Sequence, residues 1–165
     1  GKKLVKIRHD TFDVDNTVMC VVELVFDDST YCIINSLDAI RYYSCPVEDI
    51  PCFHIHEGPN PYDMIKLIDD AVEAGIEKIS IVTDTVNAIK KDGTDTFINS
   101  ITSGVIFTFS DKHELGFERY IDFIEGITIH KGYNVLSQFE GPEYWLDGLE
   151  EDFDATAERA VTVFE

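Results

Sequence analysis

Residues 61–84, PYDMIKLIDDAVEAGIEKISIVTD, constrain the fold of this chain more than any other stretch. Met64, Ile65, Ile68, Ala71 and Val72 recur at three-to-four spacing, with Leu67 at the margin of the stripe. Asp63, Lys66, Asp69, Asp70 and Glu73 fall on the other side. That spacing predicts an amphipathic helix. Asn60 can cap it, and Pro61 can take the first helical position, where its missing N–H costs nothing. Gly75 suits a left-handed helix stop. Ile79, Ile81 and Val82 then form an apolar run too short for a helix and read as a buried strand. A helix feeding directly into such a strand must cover one face of a sheet.

The rest of the chain supplies strands and further helices around this unit. Residues 4–8 alternate weakly, and Lys2, Lys3, Lys6 and Arg8 gather the local basic charge there, as suits an edge strand. Residues 18–26 and 31–35 read as a hairpin about a turn at 27–30. A two-residue loop pairs Phe26 with Tyr31 and Val25 with Cys32, placing Val18, Cys20, Val22, Leu24, Phe26, Tyr31 and Ile33 on one apolar face. Residues 37–43, 85–91, 112–124 and most of 142–164 read as helices. Residues 97–101 and 105–109 read as a hairpin about Thr102-Ser103-Gly104, and 52–56 and 127–130 as short strands. The expected fold is therefore a single α+β or α/β domain over 1–165, with a mixed sheet of six or seven strands, an N-terminal hairpin, three or four helices and a C-terminal acidic helix.

Charge is the compositional outlier. Thirty-two acids oppose thirteen bases, a formal net charge of −19. Direct binding of nucleic acid, which needs clustered Lys and Arg, is disfavoured. Basic protein partners are favoured. No apolar run of membrane-spanning length and no signal-peptide pattern is present, so the reading is a soluble cytoplasmic protein with no membrane partner and with its four cysteines reduced.

From Glu140 onward nine acids meet one base, Arg159. On a helix Glu143, Asp147, Glu150, Glu151, Asp154 and Glu158 would form a carboxylate stripe. Members four residues apart would lie about 6 Å apart along the axis, close to the spacing of successive nucleic-acid phosphates. This predicts a non-catalytic acidic binding or inhibitor protein, a DNA mimic, engaging a nuclease or DNA-binding protein. In size and charge it resembles toxin-immunity and phage anti-defence proteins.

Two alternatives carry cofactors. Asp13-Val14-Asp15-Asn16-Thr17 resembles the DxDxT motif of haloacid dehalogenase phosphatases. The resemblance implies Asp13 as nucleophile, Asp15 as proton donor and Mg²⁺ as charge partner. It also implies Thr83, at the end of a strand, as the second motif; Lys90, Lys91 or Lys112 as the base; and Asp111 within the acidic fourth motif. Separately, Cys52, His54 and His56 point the same way on a strand and with Cys45 could hold Zn²⁺ in a zinc-stabilised structural or interaction domain. Should a small-molecule site exist, Thr83-Asp84-Thr85 marks its place, because ligands of open α/β sheets favour the carboxyl ends of strands.

Overall fold

A computed structural model of the chain describes residues 2–10, 16–19, 21–40, 48–62, 65–120, 125–147, 149 and 151–165. These residues form ten strands in one antiparallel sheet: β1 Lys3–His9, β2 Thr17–Met19, β3 Val21–Phe26, β4 Thr30–Ile40, β5 Glu48–Glu57, β6 Ile68–Lys90, β7 Thr96–Phe109, β8 Glu114–Arg119, β9 Gly126–Gly132 and β10 Phe153–Phe164. Two short 3-10 turns, Val135–Gln138 and Pro142–Leu146, are the helical content of the described residues. The α+β expectation is thereby corrected to an all-β fold.

The largest correction falls on residues 61–84. In place of the predicted helix stands β6, a strand of 23 residues from Ile68; Asp63 and Met64 lie outside the described residues. Val72, Ala74, Ile76, Ile79 and Ile81 pack against the main core. Their spacing is two, broken once at Glu77, where the register against β7 shifts between Ile76 and Lys78. An alternation interrupted by a bulge mimics three-to-four spacing over a short window. The 85–91 helix is the end of the same strand. The 37–43 helix falls, as far as Ile40, on β4; residues 41–43 lie outside the described residues. The 112–124 helix is a tight turn followed by β8, with 121–124 outside the described residues.

The order β2-β9-β8-β7-β6-β1-β3-β4-β5 places β6 in the middle, and β10 pairs with it as well. The first part of β6 pairs with β1, so β1 is an inner strand rather than an edge. Its cations meet acids across the ladder: Lys6 binds Asp69, and Arg8 binds both Asp69 and buried Glu23. The later part pairs with β7 on one side and β10 on the other. The sheet closes over its own apolar face, so that Leu4, Ile7, Val22, Leu24 and Ile33 pack with Val105, Phe107, Leu115, Phe117, Ile127 and Ile129.

The predicted 3–4 hairpin is present with a displaced register. Val25 pairs with Thr30 and Leu24 with Tyr31, and Phe26 N–H donates to the Ser29 carbonyl at 2.8 Å. A shift of two leaves every side chain on its predicted face: Val22, Leu24 and Ile33 point to the core, while Val21, Cys32 and Ile34 form a second cluster with Ile65 and Leu67. Residues 97–109 are not a hairpin. They form one strand in which Val82 pairs with Gly104 and Thr83 with Thr102, leaving Ser103 as the extra residue of a bulge.

The outer face of β7 and β8 is covered by residues 135–139. Gly104 and Gly116 make room for them: a methyl at Gly104 would stand 2.3 Å from the Phe139 ring, and one at Gly116 would stand 2.4 Å from Val135 Cγ1. Phe139 and Val135 are buried here with Val82 and Ile106. Substituting Gly104→Ala therefore forces this cover off the sheet. A loss of about 1–3 kcal/mol is expected, read as a lower midpoint in urea unfolding, with the far-UV spectrum still that of a β-protein.

Candidate functional site

The most built polar arrangement among the described residues centres on Asp84. Along β6 the residues Ser80, Val82, Asp84, Val86 and Ala88 are buried on one side, so a carboxylate sits in an otherwise mostly apolar row. It is 2% exposed. Arg159 of β10, directly opposite in the register, grips it with two bonds, Nε to Oδ1 at 2.7 Å and Nη2 to Oδ2 at 2.8 Å. Ser103 Oγ donates from the β7 bulge, and Trp145 Nε1 donates at 3.3 Å. Burial alone would raise the Asp84 pKa. The Arg159 and Ser103 hydrogen bonds, the Arg159 charge and the Trp145 indole outweigh it and hold the carboxyl below its ordinary 3.8.

A second tier adjoins it. Arg119 lies over the Trp145 ring, 4.2 Å from its centre, and donates to the Pro51 carbonyl at 2.9 Å. Glu118 accepts from Glu140 N–H at 2.6 Å and lies 2.8 Å from His130 Nε2. Trp145, Leu149 and Phe153 pack with Ile50, Val86, Phe97 and Ile101. The polar core thus fastens the 140–147 segment and β10 to the sheet. Asp84 is saturated by donors and enclosed, a structural carboxylate.

The acids predicted as a helical stripe occupy other backbone. Glu143 lies in the Pro142–Leu146 turn, Asp147 follows it, Glu151 is in the turn before β10, and Asp154 and Glu158 are on β10; Glu150 lies outside the described residues. All five described acids are exposed. On a strand, positions four apart lie about 13 Å apart, so Asp154 and Glu158 do not reproduce the phosphate-like ladder expected of a helix. They do share one face, with Thr156 between them. Arg159 points the other way, into Asp84.

The residues named for the two cofactor alternatives are not brought together. Asp13 and Asp15 lie outside the described residues. Thr83 is in the middle of β6 rather than at a strand end, and Asp111 is in the β7–β8 turn, beside His113. Seven residues of strand, about 23 Å, separate Thr102, the partner of Thr83, from Phe109, where that turn begins. Lys112 is paired with Glu77 and Lys90 with Asp92, and Lys91 donates to the Glu151 carbonyl. Cys52, His54 and His56 do alternate along β5, and His54 Nε2 lies 3.1 Å from Asp38 Oδ2. Cys45 lies outside the described residues, and among those described no group of three His, Cys, Asp or Glu side chains is placed to hold a metal ion. Cys32 and Cys52 are free thiols. Burial, with the Glu23 charge, pushes the Cys32 thiol up to about 11.

The strand end expected at Thr83-Asp84-Thr85 is corrected by the continuous β6. The signals that could have found the ion pair are one acid within the alternating Ser80-Val82-Asp84-Val86-Ala88 row and one base within an acid-rich tail. Comparison with protein families, curated proteins and solved structures finds no match to this chain.

The Asp84–Arg159 pair makes two predictions. Removing one partner, as in Arg159→Met, leaves a buried charge uncompensated and is expected to cost about 3–5 kcal/mol; Asp84→Asn with Arg159→Met should recover a large part of that loss in a double-mutant cycle by chemical denaturation. Because the folded-state pKa of Asp84 lies below the unfolded value of 3.8, the pair contributes its full stability above about pH 4 and loses it as pH falls through the folded value. Unfolding free energies measured from pH 6 to pH 2 should therefore decline less steeply in the double variant than in the wild type.

Proposed function

We propose that this chain is a non-catalytic binding protein whose acidic 140–158 surface engages a basic protein, and that it acts by occupying that partner. The carrying observation is the direction of Arg159. It is the one base among the ten charged residues from Glu140 onward, and it is spent on Asp84. Glu140, Glu143, Asp147, Glu151, Asp152, Asp154 and Glu158 are exposed around it. On the β1–β6 side Asp69, Asp70, Glu73 and Glu77 have Lys or Arg partners. Clustered carboxylates of this kind speed the encounter with a positively charged patch.

The partner class that fits is a protein with an exposed cationic surface, such as a nuclease or DNA-binding protein. The reading rests on the clustered carboxylates and no longer on a helical ladder. Free Cys32 and Cys52 support placing it in the cytoplasm, and among the described residues no helix is long and apolar enough to cross a membrane.

The test starts from capture of the partner from the native host and its purification. Its association rate is then compared for wild type and for a chain carrying Glu143→Lys, Asp147→Lys, Glu151→Lys, Asp154→Lys and Glu158→Lys. The expected result is a loss of about a hundredfold in affinity, mostly in the association rate, with the salt dependence of the wild type abolished. Equal binding by the reversed chain refutes the reading.

A further inference from the structure

Strand β10 stands apart from the other borders of the sheet. It pairs with β6 in an unbroken register from Phe153↔Lys90 to Phe164↔Ile79. From Asp154 onward it makes no backbone hydrogen bond outside that ladder among the described residues. A free strand edge is a template for another strand, and proteins blunt it with lysine, proline, bulges or short length. The twelve residues FDATAERAVTVF contain no lysine and no proline, and their ladder contains no register shift. Among the described residues the other borders are managed: β2 is three residues long, and β5 carries Pro51; the Pro142–Leu146 turn lies against the first half of β10, packing on Phe153, Ala155 and Ala157.

The edge also has a definite chemistry. Its first half presents Asp154 and Glu158 to solvent. Its last five residues, 160–164, are uncharged and exposed on both faces, with Val161 40%, Val163 48% and Phe164 55% exposed. The tip borders an open groove of about 940 Å³ lined by Ile55, Ile76, Ile79, Ile81 and Phe107 together with Phe164.

We propose that the free edge of β10 receives an extended segment of the basic partner as an added strand. Main-chain groups of that segment pair along β10. Its Lys or Arg residues face Asp154 and Glu158, and its apolar residues lie beside Val161 and Val163 with one anchor in the groove. Unpaired main chain calls for a strand, the two carboxylates call for cations, and the bare tip with its groove calls for an apolar end. A second copy of this chain fits less well, because it brings −19 against −19. The proposal rests on the acidic-binding reading above and adds where, and in what conformation, the partner docks.

The probe is a blocked ten-residue peptide with lysine alternating with threonine in one half and valine with threonine in the other. It is made in both chain directions, with glutamate-for-lysine and proline-interrupted versions as controls. Binding is followed by fluorescence anisotropy, and docking by amide hydrogen exchange over 153–164. The expected result is binding of the lysine peptide in one direction, slowed exchange along β10, and at least tenfold weaker binding to both the Asp154→Lys/Glu158→Lys chain and the Val161→Lys/Val163→Lys chain. Both pairs replace exposed side chains: Asp154 and Glu158 lie on the outer face of β10, Val161 and Val163 on the Arg159 face beyond the ion pair, and the Asp84–Arg159 pair itself is left in place.

Two results overturn the proposal. One is a purified partner whose binding is lost with Glu143→Lys/Asp147→Lys/Glu151→Lys but untouched by Val161→Lys/Val163→Lys, with β10 exchange unchanged; the acidic-binding reading then stands and the edge does not. The other is self-association in sedimentation that Val161→Lys/Val163→Lys abolishes, which assigns the edge to a second copy. Partner binding indifferent to every charge reversal refutes instead the reading on which the proposal rests.

Discussion

β6 pairs with β1 over its first third and with both β7 and β10 over about half of its length, and each other part of the fold takes its place from that. Twenty-three residues of strand would span about 75 Å if straight, several times the radius of gyration of about 15 Å expected for a domain of this size. The strand must therefore bend. The backbone supplies the means: Glu73 has a φ of 54°, the register against β7 shifts at Glu77, and β7 carries the Ser103 bulge opposite Val82 and Thr83. Bulges bend a strand and increase its twist. With β6 curved, β1, β3 and β4 are carried over β7, β8 and β9, and one sheet provides both walls of its own core.

The acids of this chain are not all surface. Glu23 accepts from Arg8 and from Asn60 N–H, Glu114 from Val135 N–H, Glu118 from Glu140 N–H, and Asp84 from Arg159, Ser103 and Trp145. In each case a carboxylate on a strand holds a loop or a neighbouring strand by a charge-assisted bond, a stronger tie than a neutral one. The 133–147 segment has little regular structure of its own, and three of these carboxylates, with the cradle over Gly104 and Gly116, hold it in place. Part of the acid excess thus stabilises the fold, while nine of the 32 acids fall from Glu140 onward.

What the sequence disclosed follows from how local each signal is. The β3–β4 faces were legible because Val22, Leu24, Ile33 and Cys32 alternate without interruption; the loop register was not, because a shift of two preserves the alternation. Cys52, His54 and His56 were correctly placed on one strand for the same reason. The helix at 61–84 failed because period two with a break, over residues bearing acids on the solvent side, satisfies a helical template almost as well. Thr102-Ser103-Gly104 read as a turn because its residue types suit turns; partners twenty residues away make it a bulge. The all-β outcome depends on those long-range pairings, to which a window of a dozen residues is blind. The acidic tail was legible as composition, and its conformation was not, since Asp154-Ala-Thr-Ala-Glu158 alternates polar and small residues in a way compatible with either state.

The two halves of β10 are physically coupled through their opposite tendencies. An uncharged AVTVF edge by itself would pair with any exposed strand, its own copies included. Asp154 and Glu158 on the same strand, in a molecule of net charge −19, make approach by another acidic chain costly and approach by a cationic one favourable. Arg159 would cancel part of that bias if it faced solvent. Its burial against Asp84 keeps the outer face of the first half of the strand free of positive charge, and the same ion pair fixes β10 to β6 so that the edge is presented in an extended conformation. The interaction that anchors the strand is therefore also the one that keeps positive charge off its outer face.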